Sequence, residues 1–210
     1  MGFRRTRSGL IAVSLNVLLW GNLAAAKTVG NQDVEITVLV QDSTRLSGST
    51  LKEAEQEASR IFRAAGISIT WVDCSAMSNS VDEACYGVPG PTQFVLHIVA
   101  TGKTSSDMVF GLAFLDEGGA GKYTDVFLDR IEAAHRAFGA DTSRLLGTVV
   151  AHELGHLLLG NHSHSYAGVM TPVWRGEVLQ REAMGSLLFT HDQASLMKRR
   201  LADGNVAAVH

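Results

Sequence analysis

The stretch VVAHELGHLLLGNHSHSYAGVM, Val149 to Met170, holds four of the chain's eight histidines within thirteen residues. Two of them bracket a glutamate, as His152-Glu153-Leu154-Gly155-His156. Residues four apart on an α-helix point the same way, so His152 and His156 present both imidazoles to one point. That suits two nitrogens at roughly 2.0–2.1 Å from one tetrahedral zinc ion. Glu153 lies one residue round from His152, beside such an ion rather than on it. There a carboxylate can take a proton from a metal-activated water and later give it to a leaving amine. With eight histidines and ten glutamates in the chain, a chance H-E-x-x-H is expected about 0.014 times. The context argues the same way. Leu145, Leu146, Val149, Val150, Leu154, Leu157, Leu158 and Leu159 make the segment apolar nearly all round. Such a helix is buried, and two histidines and a glutamate without partners in a core would be costly. A zinc ion removes that cost.

A catalytic zinc on two helical histidines needs a third protein ligand and an open position. Taken through to Trp174, the segment HELGHLLLGNHSHSYAGVMTPVW resembles the metzincin metalloproteases. Their pattern is H-E-x-x-H-x-x-G-x-x-H followed by a methionine turn. His152, Glu153, His156 and His162 fall on its positions, and Met170 follows His162 by eight residues. One position departs: the pattern's glycine falls on Leu159, and the glycine stands at Gly160. The helix is then expected to be one residue longer, and the chain to leave it rotated by about 100°. A small group of bacterial secreted proteins that this chain resembles more closely carries HELGHLLLG, then SHS and GIM at the same intervals. In them the third histidine matches His164. Both His164 and His162 stand as candidates, with His164 favoured.

The resemblance implies an α/β (α+β) fold: a twisted, mostly parallel five-stranded sheet with an antiparallel edge strand, an active-site helix and a C-terminal helix. It implies one catalytic Zn2+, Met170 as a hydrophobic floor beneath it, and a peptide or protein substrate. By the same carry-over VFGLAF is the edge strand that holds substrate, through Gly111, Leu112 and Ala113.

Outward from this segment, hydrophobic periodicity supplies the other elements. Strands are expected at Asp33–Val40, Ile67–Asp73, Gln93–Ala100, Met108–Asp116 and from Tyr123, the last running into a short helix through His135 and Phe138. Thr50 and Glu53 have capping-box spacing before a helix whose face is Leu51, Ala54, Ala58, Ile61, Phe62 and Ala65, ended by Gly66. Asp141 or Thr142 caps the histidine helix. A last helix starts at Thr190, with Gln193 at capping-box spacing, and uses Ala194, Leu196, Met197 and Leu201. The strand–helix–strand start implies a right-handed crossover and a mostly parallel sheet.

Residues 1–26 read as a secretory signal peptide. Arg4, Arg5 and Arg7 form a basic head, Leu10 to Trp20 an apolar run, and Ala24-Ala25-Ala26 a site for cleavage. The expected mature chain, 27–210, is a single metallopeptidase-like domain. Removing three arginines from 18 basic residues leaves 15 against 21 acidic ones, a formal charge of −6. That balance carries no electrostatic footprint for nucleic acid or an anionic membrane, and oligomeric state is not legible. Cys74 and Cys85 flank a polar loop and are expected to form a disulfide, in keeping with a periplasmic or secreted location.

Lesser candidates surround the site. Glu177 and Glu182 could supply a downstream carboxylate ligand, although nothing in the sequence aims either at the histidines. Tyr166 could steady a tetrahedral intermediate, but a loop aromatic more often packs. His97 and His135 read as structural or surface residues, and His191, beside Thr190, as a helix first-turn residue. The expectation is a secreted zinc-dependent endopeptidase with Glu153 as general base and acid. The alternative is a zinc-bound, non-catalytic binding module, which a closed site using both His162 and His164 would favour.

Overall fold

In a computed structural model of the chain, the described residues are 1–2, 34–75, 82–104, 106, 108–174, 178–179, 181 and 185–204. The expected signal peptide beyond its first two residues, and both Glu177 and Glu182, lie outside them. The chain divides into two units, Met1–Gln32 and Asp33–His210. The second unit holds all the described strands and helices.

Its elements run β1 (Val34–Asp42), α1 (Gly48–Ala64), β2 (Ile67–Asp73), a 3₁₀ turn (Glu83–Tyr86), β3 (Gln93–Val99), β4 (Gly111–Phe114), β5 (Tyr123–Phe127), α2 (Leu128–Phe138), α3 (Thr142–Leu159) and α4 (His191–Ala202). The five strands form one sheet in the order β2-β1-β3-β5-β4. All neighbours are parallel except β4, which runs antiparallel to β5 at the edge. This is the mostly parallel sheet with an antiparallel edge that the sequence leads one to expect.

The pleat explains the core. Ile36, Val38 and Val40 alternate along β1, as do Phe94, Leu96 and Ile98 along β3, and all six are fully buried. They belong to one apolar cluster with Ala58, Ile61 and Phe62 of α1 and with Leu146, Val150 and Leu154 of α3. Each large side chain buried there contributes roughly 1.5–3 kcal/mol against exposure. Cys74 and Cys85 are disulfide-bonded, with Cα atoms 5.6 Å apart. No helix among the described residues is long and apolar enough to cross a membrane.

Three local expectations are corrected. The cap of α1 is Ser47, not Thr50: its side chain accepts the Thr50 amide at 3.2 Å, and the helix starts at Gly48. Four hydroxyl- or glycine-bearing residues precede Leu51, and the earliest cap adds the most backbone bonds. Leu196 does not join the buried face of α4; it is 37 % exposed, while Met197 and Leu201 carry the contact. The edge strand is shorter than Met108–Asp116, because the chain turns at both ends. Val109 N–H reaches Ser106 O at 3.4 Å, and Asp116 N–H reaches Ala120 O at 2.8 Å.

The register of that edge matters for the site. Phe127 N–H donates to Phe110 O at 2.9 Å, and the pairing continues as Gly111 with Val126 and Leu112 with Asp125. Hydrogen-bonded and non-hydrogen-bonded pairs alternate in an antiparallel ladder. The backbone groups of Phe110, Leu112 and Phe114 therefore face β5, and those of Gly111 and Ala113 face away from the sheet.

Candidate metal centre

α3 is capped by Asp141, whose side chain accepts the Arg144 amide at 2.8 Å. The helix carries through Leu159 and ends at Gly160, with φ of +81°. Its exit is held by Arg200 of α4, which donates to Leu159 O and to Gly119 O, both at 3.1 Å. These bonds satisfy a carbonyl that the helix end leaves open.

The longer helix decides which downstream histidine comes back to the site. Asn161 and His162 form the turn that reverses the chain, and His162 is exposed with φ of +58°. His164, two residues on, returns over the helix. Ring nitrogens of His152, His156 and His164 all lie within 4.8 Å of one another, and His162 is not among them. The four-histidine arrangement that would close the site is thus not formed.

A hydrogen bond selects the tautomer of His152. His152 Nδ1 lies 2.7 Å from Val169 O. A carbonyl oxygen only accepts, so this nitrogen carries the proton and Nε2 presents a bare lone pair. His156 Nδ1 lies 2.7 Å from Ser163 Oγ, and its Nε2 faces that of His152 at 3.1 Å. A serine hydroxyl donates or accepts, so His156 can carry its proton on either nitrogen; with it on Nδ1, two lone pairs face each other and a cation fits between them. Two nitrogens on one tetrahedral zinc lie about 3.3 Å apart at the usual bond length, so the donor set fits that ion. Burial also holds the histidines neutral: it lowers the pKa of His152 to about 4 and, with the neighbouring imidazoles, that of His156 to about 3. His164 is lowered too, by burial. Neutral imidazole is the form that binds metal.

Glu153, 5 % exposed, points to the edge strand. Its pKa is pushed up to about 8 by burial, opposed by a hydrogen bond from the Ala113 amide. Gly111 makes the room: a Cβ there would stand 2.7 Å from Glu153 Cγ and 2.7 Å from Asp125 O. The carboxyl group thus sits between the histidine pair and the outward backbone of β4. Together they line a cleft of about 310 Å³, walled also by Leu115, Val149 and Trp174.

Met170 is fully buried, with Sδ 2.6 Å from where a Cβ on Gly155 would lie. Gly155, the second variable residue of H-E-x-x-H, is small because Met170 and Phe189 occupy the space beside it. Neighbouring carbonyls in this turn hold histidine-bearing segments on both sides, Val169 O for His152 and Met170 O for the Ser165 amide at 2.9 Å.

Three residues of the site escape the sequence reading. Trp174 is buried, stands edge-on to His152 with centroids 5.6 Å apart, and is tied by its Nε1–H to Thr171 O at 2.7 Å. Ser163 orients His156, and Gln193 reaches the loop from α4. Only the SHS triplet hinted at the serine. Of the lesser candidates, Tyr166 is fully exposed. His97 pairs with Asp125 at 3.1 Å, and His135 bonds Ala140 O at 2.7 Å. His191 opens α4.

No family model and no curated relative matches the sequence. Among solved structures the chain is similar to the archaemetzincin of Methanopyrus kandleri, with 18% identity over 84% of this chain and 99% of that one, at a TM-score of 0.49. It is also similar to a zinc-dependent peptidase of Methanocorpusculum labreanum strain Z, with 16% identity over 77% of this chain and 99% of that one, at a TM-score of 0.52. The second likeness shows that the two chains share a fold: a mixed α/β unit with a mostly parallel five-stranded sheet and an antiparallel edge.

Proposed function

We propose that this chain is a secreted zinc-dependent endopeptidase. The observation that carries the reading is the convergence of three imidazoles, a buried carboxyl and an outward-facing strand edge on one cleft. His152, His156 and His164 would hold the ion, His152 through the Nε2 left bare by its bond to Val169 O. Zinc, when bound, supplies Lewis acidity toward water and toward a peptide carbonyl. Glu153, aimed into the cleft beside the histidine pair, would serve as general base and then as general acid to the leaving amine. An extended peptide would pair with the outward groups of Gly111 and with the Ala113 carbonyl, the Ala113 amide being held by Glu153, with Leu112 alongside, as an added strand. Met170 would be the apolar floor. Residues 1–26 would direct export and be removed, leaving 27–210 as one domain in the periplasm or outside the cell. The disulfide agrees with that location.

The test is zinc content per chain and peptide hydrolysis for the wild type, His162→Ala and His164→Ala. We expect one zinc and activity in the wild type and in His162→Ala, and loss of both in His164→Ala. A wild-type protein that binds zinc yet cleaves no peptide, or that binds none, would overturn the reading.

A further inference from the structure

Gln193 stands at the third position of α4 and completes a capping box with Thr190. Its Oε1 accepts the Thr190 amide at 2.9 Å, and Thr190 Oγ1 accepts the Gln193 amide at 3.3 Å. A capping box asks this side chain only for an acceptor, and glutamate serves as well as glutamine. At a helix N-terminus glutamate would even be favoured, since negative charge there meets the positive end of the helix dipole. A glutamine in that place therefore calls for another reason. Its second atom provides one: Nε2 donates to Ser165 Oγ at 3.0 Å and toward Ser163 O at 3.4 Å.

Those two serines flank His164. Ser165 Oγ spends its own proton on Ala167 O at 2.8 Å, so toward Gln193 it is an acceptor, and only a donor suits it. Ser163 Oγ holds His156 Nδ1. One amide group thus grips both sides of the exposed histidine and the residue that orients a buried one.

We infer that Gln193 is a positioning residue for the histidine cluster, its Nε2–H group holding the 163–165 loop so that His164 faces His152 and His156. The role rests on the proposed three-histidine metal site. It adds to that site a brace that lies 29 residues after His164 in sequence, on the C-terminal helix.

Two variants separate the brace from the cap. Gln193→Glu keeps an acceptor for the Thr190 amide but loses the donor and sets an oxygen against Ser163 O. Gln193→Ala loses both. Zinc affinity would be measured by chelator competition on the purified chain, at high salt to screen the added charge, with the visible spectrum of the cobalt-loaded protein. The melting temperature would be taken on metal-free samples. We expect Gln193→Glu to melt with the wild type, to bind zinc about 10-fold or more weakly, and to show an altered cobalt spectrum, as with other residues that orient metal ligands. Gln193→Ala should weaken zinc similarly and also melt earlier. Wild-type zinc affinity and cobalt spectrum in Gln193→Glu would overturn the inference while leaving the metal site intact. An equal loss of melting temperature in both variants, with zinc binding unchanged, would reduce Gln193 to a cap. A wild-type chain that takes up no zinc would instead bring down the proposed function, and the brace with it.

Discussion

The cluster is assembled from two halves held by different physics. His152, Glu153 and His156 ride on α3, a helix buried almost all round, and the core sets their directions. His164 is exposed, on a loop after a left-handed turn, and its neighbours are held by hydrogen bonds to Gln193, Met170 and Ala167. Packing energy secures one half and a few polar contacts secure the other. The helical half should tolerate loss of a single hydrogen bond, whereas the loop half should not.

Changes to chemistry should exceed every other effect. Glu153→Gln, of nearly the same shape, is expected to lower peptide hydrolysis by about 10²–10⁴-fold while zinc content stays at the wild-type level. Parallel loss of zinc would instead make Glu153 part of the architecture. Gly155→Ala tests the packed half: its Cβ would fall 2.6 Å from Met170 Sδ and 2.8 Å from Phe189. Overpacking of this kind costs roughly 1–3 kcal/mol, so urea unfolding should shift by that amount. An unchanged midpoint would mean that Met170 is not tightly seated against the helix. Arg200→Met removes two bonds, to Leu159 O and Gly119 O, and should cost about 1–2 kcal/mol on a partly exposed site. Its effect on zinc should be smaller than that of Gln193→Glu, because it acts at the helix exit and not on the 163–165 loop.

A test of another kind is a pH trend in metal-free protein, which sets the buried groups against each other. His152 and His156 fold with pKa values near 4 and 3 against an ordinary 6.5, so the unfolded chain binds more protons below 6.5. Their contribution to stability is complete above about pH 6.5 and is lost as pH falls. Glu153 folds near 8 against an ordinary 4.5, so its contribution is complete below 4.5 and is lost as pH rises through 8. His164 is lowered as well, while Glu55 is raised to about 6 by burial, so three histidines outweigh two glutamates below pH 6 and Glu153 acts alone above 6.5. Unfolding midpoints are expected to rise toward about pH 6.5 and fall from there toward 8. A monotonic rise to pH 8 would mean that Glu153 is not shifted.

How much of this the sequence announced follows the same division. The helical half was legible, because a period of 3.6 and an apolar surround report burial directly. The sheet and its antiparallel edge followed from alternation and from family likeness. For the third histidine the sequence left two candidates, and the geometry depended on where a helix stopped. A single residue, Leu159 in place of glycine, moves that exit and gives His162 to the turn. The orienting groups were less legible still. Val169 acts through its backbone carbonyl, which any residue supplies, and Gln193 already had a sufficient local explanation as a cap. Trp174 closes the quoted segment, and only folding brings its ring against His152.

The edge strand has a consequence for the protein's behaviour at high concentration. An open strand invites another chain to add itself, and long flat apolar edges seed aggregates. Leu112 and Phe114 of β4 are 40 % and 49 % exposed, so the invitation here is real. Yet β4 has only four residues, and of its outward amides that of Ala113 is already engaged by Glu153. A second copy approaching edge to edge would find a short ledge with one rung occupied. The glutamate that faces the cleft thus also helps to keep the molecules apart.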